Sequence, residues 1–226
     1  MKSSLCAAIA AGALLIAASA AHAGVITFTA SGTGGDGAEG ATATITTATN
    51  ALIVSLSSTV ANPKSAGQEV SGIEIILSNV PTSVSLSSAS GTLIDISSGG
   101  TVASGGSSIT HWGATLSRST IYLATAGTGA AGGKPIDLII GSGPYTNANP
   151  SITGRNPQIE GTGTFDLTAL GVTADTVVES VVFEFGTGPD SLVAGIDPPP
   201  VPEPATIFLF GAGLIGLGLA RRRMVR

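Results

Sequence analysis

The sequence predicts an all-β fold, an antiparallel β-sandwich of the jelly-roll or Ig-like kind, between two terminal segments that are not part of it. Three observations carry that reading. Apolar and β-branched runs of about four to eight residues recur along the chain, split by Gly, Ser, Asn and Pro. Alternation is clear in Ser83-Val84-Ser85-Leu86-Ser87, where every second residue is polar. Between the runs no 3.6-residue period is sustained, so little helix is expected outside the two ends.

The strands follow in order. Residues 25–29 open the series with Val-Ile-Thr-Phe-Thr, β-branched and aromatic. Residues 41–46 and 52–56 form a hairpin around Ala48-Thr49-Asn50, where Asn suits a left-handed turn position. Further runs lie at 73–77, 83–87, 92–96, 120–124 and 136–140, and the series closes with 165–167 and 181–185. Turn-rich stretches at 99–108 and 141–163 are expected as long loops; Pro144, Pro150 and Pro157 punctuate the second. Loops at one end of a sandwich can carry a binding surface, and they also collect unselected insertions. No repeat of fixed length argues for a propeller or solenoid.

Composition narrows the function classes. Of 226 residues, 43% are hydrophobic and 10% charged, against a usual charged share of about 25%. Gly numbers 32 and Ser and Thr 26 each, without a collagen period. A coiled coil, a basic nucleic-acid binder and a highly charged disordered chain are excluded.

Residues 1–23 read as a secretory signal peptide, a cleaved helix. Lys2 is the basic n-region, residues 5–18 the apolar h-region, and Ala21-His22-Ala23 a small-x-small site cleaved between Ala23 and Gly24. The single Cys, Cys6, leaves with it, so the exported chain holds no disulfide, thiol nucleophile or Cys-ligated zinc.

At the other end, residues 198–204 hold five of the 12 prolines and form an extended spacer. Residues 205–220 carry no charge, and Arg221, Arg222 and Arg223 follow at once. At 1.5 Å per residue that helix covers ~24 Å, somewhat less than a ~30 Å hydrocarbon core; snorkelling arginines cover the shortfall. The basic cluster, with 221–226 as a cytoplasmic tail, places the body outside the cytoplasm. Ala212, Gly216 and Ala220 recur every four positions; a packing face and a merely Gly-rich composition account for this equally well.

The exported body, residues 24–197, is acidic. Without Lys2 and the four tail arginines the cations are Lys64, Arg118, Lys134 and Arg155; without Glu203 thirteen acidic residues remain, leaving a net charge near −9. Such a surface repels nucleic acid and anionic membranes.

Motifs that carry chemistry are weak. G-x-G-x-x-G occurs at Gly32-Gly34-Gly37, Gly127-Gly129-Gly132 and Gly211-Gly213-Gly216, in no case between a strand and a helix, so all three are read as structural. Gly133-Lys134 is followed by Pro135 and is not a phosphate loop. After cleavage His111 is the one imidazole, no G-x-S-x-G elbow accompanies it, and a structural role is expected. One histidine and no cysteine leave no transition-metal cluster. Asp36 with Glu39, or Asp137 with Glu160, could be paired by the fold as a glycosidase pair, although solvated turn carboxylates account for them as well. Asp36-Gly37-Ala38-Glu39 lacks the alternating ligands of a calcium loop. No catalytic residue and no cofactor is therefore expected. Trp112, Tyr122 and Tyr145 are the only Trp and Tyr in the chain and the candidate sugar contacts, Trp112 first. The stronger reading of Trp112 is a core anchor between two sheets.

The motif Val201-Pro202-Glu203-Pro204, the apolar helix with its Gly211-Ala212-Gly213-Leu214-Ile215-Gly216-Leu217-Gly218 interior, and the arginine triplet together resemble the PEP-CTERM sorting signal of Gram-negative bacteria. The resemblance covers about the last 26 residues. It implies Pro202, Glu203 and Pro204 as recognition residues and Arg221, Arg222 and Arg223 as the stop. It also implies an exosortase, a membrane cysteine protease-transpeptidase, as partner. An inner-membrane intermediate with a periplasmic body would then give way to the cell surface or extracellular matrix. The resemblance leaves the body's activity open. A non-enzymatic surface or matrix protein associated with exopolysaccharide is the leading expectation, and a carbohydrate-binding module for exopolysaccharide the alternative.

Overall fold

A computed structural model describes residues 24–130, 134–188 and 191–195. The signal segment, the spacer, the apolar helix and the basic tail all lie outside the described residues. Within them the all-β expectation is met. Twelve strands run in chain order as β1 (Gly24–Gly34), β2 (Gly37–Ala48), β3 (Ala51–Ser58), β4 (Val70–Leu77), β5 (Ser83–Ile96), β6 (Val102–Ser104), β7 (Gly113–Ser117), β8 (Thr120–Ala124), β9 (Ile139–Ile140), β10 (Gln158–Leu170), β11 (Val178–Phe185) and β12 (Ser191–Ala194). Helix is limited to a 3-10 turn at Ala66–Gln68 and one α-turn, α1 (Pro150–Thr153).

Two-residue turns close three hairpins, each with a positive-φ residue in or beside the turn. Gly34 pairs with Gly37, Ala48 with Ala51 and Ser117 with Thr120. Gly37, Asn50 and Arg118 adopt φ of 123°, 56° and 57°. Asn50 also accepts the Gly171 amide on its side-chain oxygen at 2.9 Å, which ties that turn to the end of β10.

One antiparallel array runs β1-β2-β3-β10-β5-β6 and another β12-β11-β4-β8-β7. They do not separate into two sheets. Strand β9 pairs in parallel with β10 at Ile159 and Glu160 and touches β4 at Val70, so hydrogen bonding joins all twelve strands in one sheet. Both arrays feed one core. Alternation points Phe28, Ala43, Ile45, Val54 and Phe165 inward from the first, and Ile73, Ile75, Ile121, Phe183 and Phe185 from the second.

Several boundaries differ from the sequence reading. The runs at 83–87 and 92–96 form the single strand β5, because Gly91 continues the pairing with Gly163 of β10. The expected loop 141–163 ends early, since β10 begins at Gln158; Gly161, at φ 69°, accommodates the irregular register there. Of residues 136–140 only Ile139 and Ile140 pair as strand. Strands β6, β7 and β12 were not anticipated: they are short edge segments whose order comes from their neighbours.

The registers sort the connections into two poles. At one lie Gly24, the 49–50 and 118–119 turns, and the loops 78–82 and 171–177, and β12 runs toward it. At the other lie the 35–36 turn and the connections 59–69, 97–101 and 141–157, the first and last of them long.

Candidate functional site

The long connections of the second pole pack together. The Asn62 amide donates to Ser142 O at 2.7 Å, the Asn149 amide to Lys64 O at 2.9 Å, and Lys64 Nζ to Thr146 O. A capping box of Ser65 and Gln68 holds the 3-10 turn, and Gln68 Nε2 reaches Ala38 O at 3.0 Å. Under these loops Tyr145 is buried with Ile94, Ile96, Ile140 and Ile152, and its hydroxyl donates to Gly141 O at 2.9 Å. Burial, followed by the charges of Glu160 and Glu69, pushes the Tyr145 phenol up to about 12.

Below this pole lies an acidic residue that sequence reasoning missed. Glu69 is fully buried just before β4, and burial pushes its carboxyl up to about 8. The Gln158 amide and the Arg155 charge offset part of that shift. Gln158 Nε2 is already committed to Ile152 O at 3.0 Å, and neither Glu69 oxygen gains a hydrogen bond of ordinary geometry. Glu184 on β11 is also buried, and desolvation together with nearby Glu74 raises it to about 7. Nothing in the 69–71 segment signals burial, because the cover comes from residues far along the chain. Glu184 lies in the alternating run Phe183-Glu184-Phe185, which predicts an outward position and hides its burial.

The candidate sugar contacts do not converge. Trp112 is 3% exposed, packs on Phe165 with ring centroids 4.3 Å apart, and donates from Nε1 to Asp137 O at 2.7 Å. Tyr145 is 1% exposed. Neither ring presents a face to solvent. Tyr122 is half-buried on β8 opposite Glu74.

The members of each candidate carboxylate pair sit in different surroundings. Asp137, at φ 60°, is buried, and its Oδ2 accepts the amides of Thr110 and His111 at 2.9 and 3.1 Å. His111 Nδ1 lies 3.4 Å from the same oxygen, so Asp137 pins the segment before β7 from three sides. Glu160, its candidate partner, is exposed on β10 opposite Ile140. Asp36 sits over Gly67, whereas Glu39 is buried beside Gly32 and Gly34. Among the described residues no group of three or more His, Cys, Asp or Glu could hold a metal ion. The first glycine motif is the β1–β2 hairpin; the other two reach beyond the described residues.

The outer face of β1, β2, β3, β10 and β5 is a hydroxyl-rich surface, which also exposes Val25, Ile53 and Leu170. Register aligns Thr27, Thr44, Ser55, Thr164 and Ser90 in one row across five strands, and Thr29, Thr42, Ser57 and Thr162 in the next. Neighbouring hydroxyls bond each other: Thr27 to Thr44 at 3.0 Å, Ser57 to Thr162 at 2.8 Å and Ser87 to Thr168 at 2.7 Å. Asp166, which accepts from Ser88 at 2.6 Å, is the one charge paired into these rows.

A family model described as the PEP-CTERM protein-sorting motif matches residues 200–223. The chain carries a PEP-CTERM sorting motif. Pro202, Glu203, Pro204 and Arg221, Arg222 and Arg223 all fall within the matched segment. The PEP-CTERM motif implies export, membrane-associated sorting in a Gram-negative bacterium and processing by an exosortase-type membrane enzyme. No curated protein and no solved structure matches the chain. Among the described residues no helix is long and apolar enough to cross a membrane; residues 205–220 lie outside them.

Proposed function

We propose that this PEP-CTERM chain is a non-enzymatic surface or matrix protein whose β body, residues 24–197, is delivered outside the cell and released from its sorting helix. The body is read as a β-sandwich of two arrays bridged by β9, because both arrays bury their inner faces in one core. The single observation that carries the reading is the PEP-CTERM match at 200–223 on a chain whose described part is mostly strand with almost no helix.

Association with exopolysaccharide is the finer part of the proposal. It is supported by the rows of Ser and Thr hydroxyls on the outer face of β1, β2, β3, β10 and β5, which suit hydrogen bonding to a neutral, hydrated polymer. The alternative, a carbohydrate-binding module, would rest on this face and on Tyr122, since Trp112 and Tyr145 are buried.

Intact mass of the protein from medium, surface and membrane fractions of its host tests the proposal. A surface or released species starting at Gly24 and lacking 205–226 is expected. A steady-state membrane species still carrying Arg221, Arg222 and Arg223 would overturn it in favour of a plain single-pass anchor.

A further inference from the structure

Of the seven large hydrophobics exposed among the described residues, four lie at the pole toward which the chain leaves: Val25 at 63%, Val80 at 53%, Leu170 at 44% and Val177 at 57% exposure. They come from separate segments that hydrogen bonds hold together. The Ser78 amide donates to Val177 O at 2.9 Å, and the Val177 amide to Ser78 Oγ at 3.0 Å. Asn79 Nδ2 reaches Gly171 O at 2.8 Å, and the Thr82 amide reaches Leu170 O at 2.8 Å. A Cβ placed on Gly24 would lie 3.4 Å from Ala174 O, which brings the start of β1 beside the same loops. The two loops are therefore fixed to the ends of β1 and β10, and Val80 and Val177 of the loops, with Val25 and Leu170 of the strand ends, stay in solvent.

The sequence beyond Gly195 says what lies opposite. The Gly195 amide donates to Val181 O at 2.9 Å, which directs the chain toward this pole. Nine residues, 196–204, then separate it from the apolar 205–220 stretch. At ~3.3–3.6 Å per residue these nine span at most ~30 Å, so an anchored helix keeps the pole close to the bilayer surface. The body's net charge near −9 works against an anionic surface, but this pole holds little of it. Arg118, Asp175 and Glu179 are the charged residues on the segments of this pole, while Lys64, Lys134 and Arg155 belong to the opposite one.

We propose that this pole is a membrane-contact surface, with Val25, Val80, Leu170 and Val177 seated in the interfacial layer of a phospholipid bilayer while the tail is anchored. The proposal rests on the reading of 205–220 as a membrane helix. Lipid is favoured over a protein partner because the patch consists of apolar side chains from two loops and two strand ends, with little charge to match. A tether also supplies the effective concentration, about millimolar, that a contact of four side chains needs. The surface would orient the body with its long loops and 3-10 turn away from the membrane, and would let go once the tail is cut.

The test uses the full chain with Cys6→Ser and one added cysteine, Val80→Cys or, at the far pole, Gly35→Cys. Each carries an environment-sensitive fluorophore in phosphatidylethanolamine–phosphatidylglycerol vesicles containing spin-labelled lipid. Quenching at position 80 at least twofold greater than at position 35 is expected, with most of it lost when Leu170→Ser and Val177→Ser are added. Equal, water-like signals from a chain that resists carbonate extraction would overturn the proposal and leave the tail reading intact. A chain released by carbonate would overturn both. Quenching of position 80 only when the sorting enzyme is present would assign the pole to a protein partner and overturn the lipid assignment.

Discussion

Trp112 and Asp137 hold each other in place from 25 residues apart: the indole nitrogen donates to the aspartate carbonyl at 2.7 Å, while the aspartate carboxylate accepts the two amides before the tryptophan. The pair closes the core above Phe165 and anchors the start of β7.

Truncation of Trp112 should accordingly read out as stability. Trp112→Ala is expected to cost ~3–5 kcal/mol in denaturant unfolding, the usual range for a buried aromatic. Trp112→Phe keeps most of the packing but leaves Asp137 O without its donor, at a cost of ~1–3 kcal/mol. Asp137→Ala should destabilise similarly, because two amides lose a buried acceptor. A Trp112→Ala protein of unchanged midpoint that no longer binds polysaccharide would contradict this and return the residue to a sugar-binding role.

The buried carboxyl of Glu69 makes stability fall as pH rises. Its folded value, about 8, lies above the ordinary 4.5, so the folded chain holds a proton that the unfolded chain releases. Between pH 4.5 and 8 the unfolded state therefore binds fewer protons, and stability declines across that window. The full loss above pH 8 is on the order of a few kcal/mol. Thermal midpoints at pH 5 and pH 8 should differ in that direction, and Glu69→Gln should flatten the difference. Glu184, raised to about 7, adds to the slope with the same sign.

Two glycines should respond very differently to an added Cβ. A Cβ on Gly141 would fall 1.8 Å from the Val60 carbonyl oxygen, a backbone atom that cannot swing aside. Gly141→Ala is expected to cost about 2 kcal/mol or more. Gly35, in the β1–β2 turn, has nothing within 4 Å of the same added atom. Gly35→Ala should stay within about 0.5 kcal/mol. Equal denaturation midpoints for the two variants would refute the close approach of the 59–69 connection to Gly141.

Processing should depend on the motif and not on the body. Replacing Pro202, Glu203 and Pro204 together by Ala should leave the C-terminal segment attached, seen as retained mass in the membrane fraction. Asp137→Asn should leave processing of the folded protein unchanged. Loss of processing in both variants would mean that the sorting enzyme reads the folded domain as well.

Strand character was legible because it is local. Alternation in 83–87 and the β-branched run at 25–29 identify strands whatever they pair with. The Asn50 turn was legible for the same reason, since one residue suits φ of 56°. Edge strands β6, β7 and β12 were not, because their order is conferred by neighbours and their residues carry little preference of their own. The acidic candidates fared unevenly: Asp137 is part of a structural knot and Glu160 stands apart from it, a division that spacing along the chain cannot express.

By itself the sequence determined the address and the fold class: a PEP-CTERM motif, an apolar stretch before an arginine triplet, and a chain of short strands with few, mostly acidic, charged residues. These properties depend on composition and spacing within segments of some ten to twenty residues. Only the tertiary structure decided that Trp112 and Tyr145 turn inward, that Glu69 and Glu184 are buried, and that Val25, Val80, Leu170 and Val177 gather where the chain leaves. Burial and proximity are made by contacts between residues tens of positions apart, and those contacts exist only once the strands have taken their register.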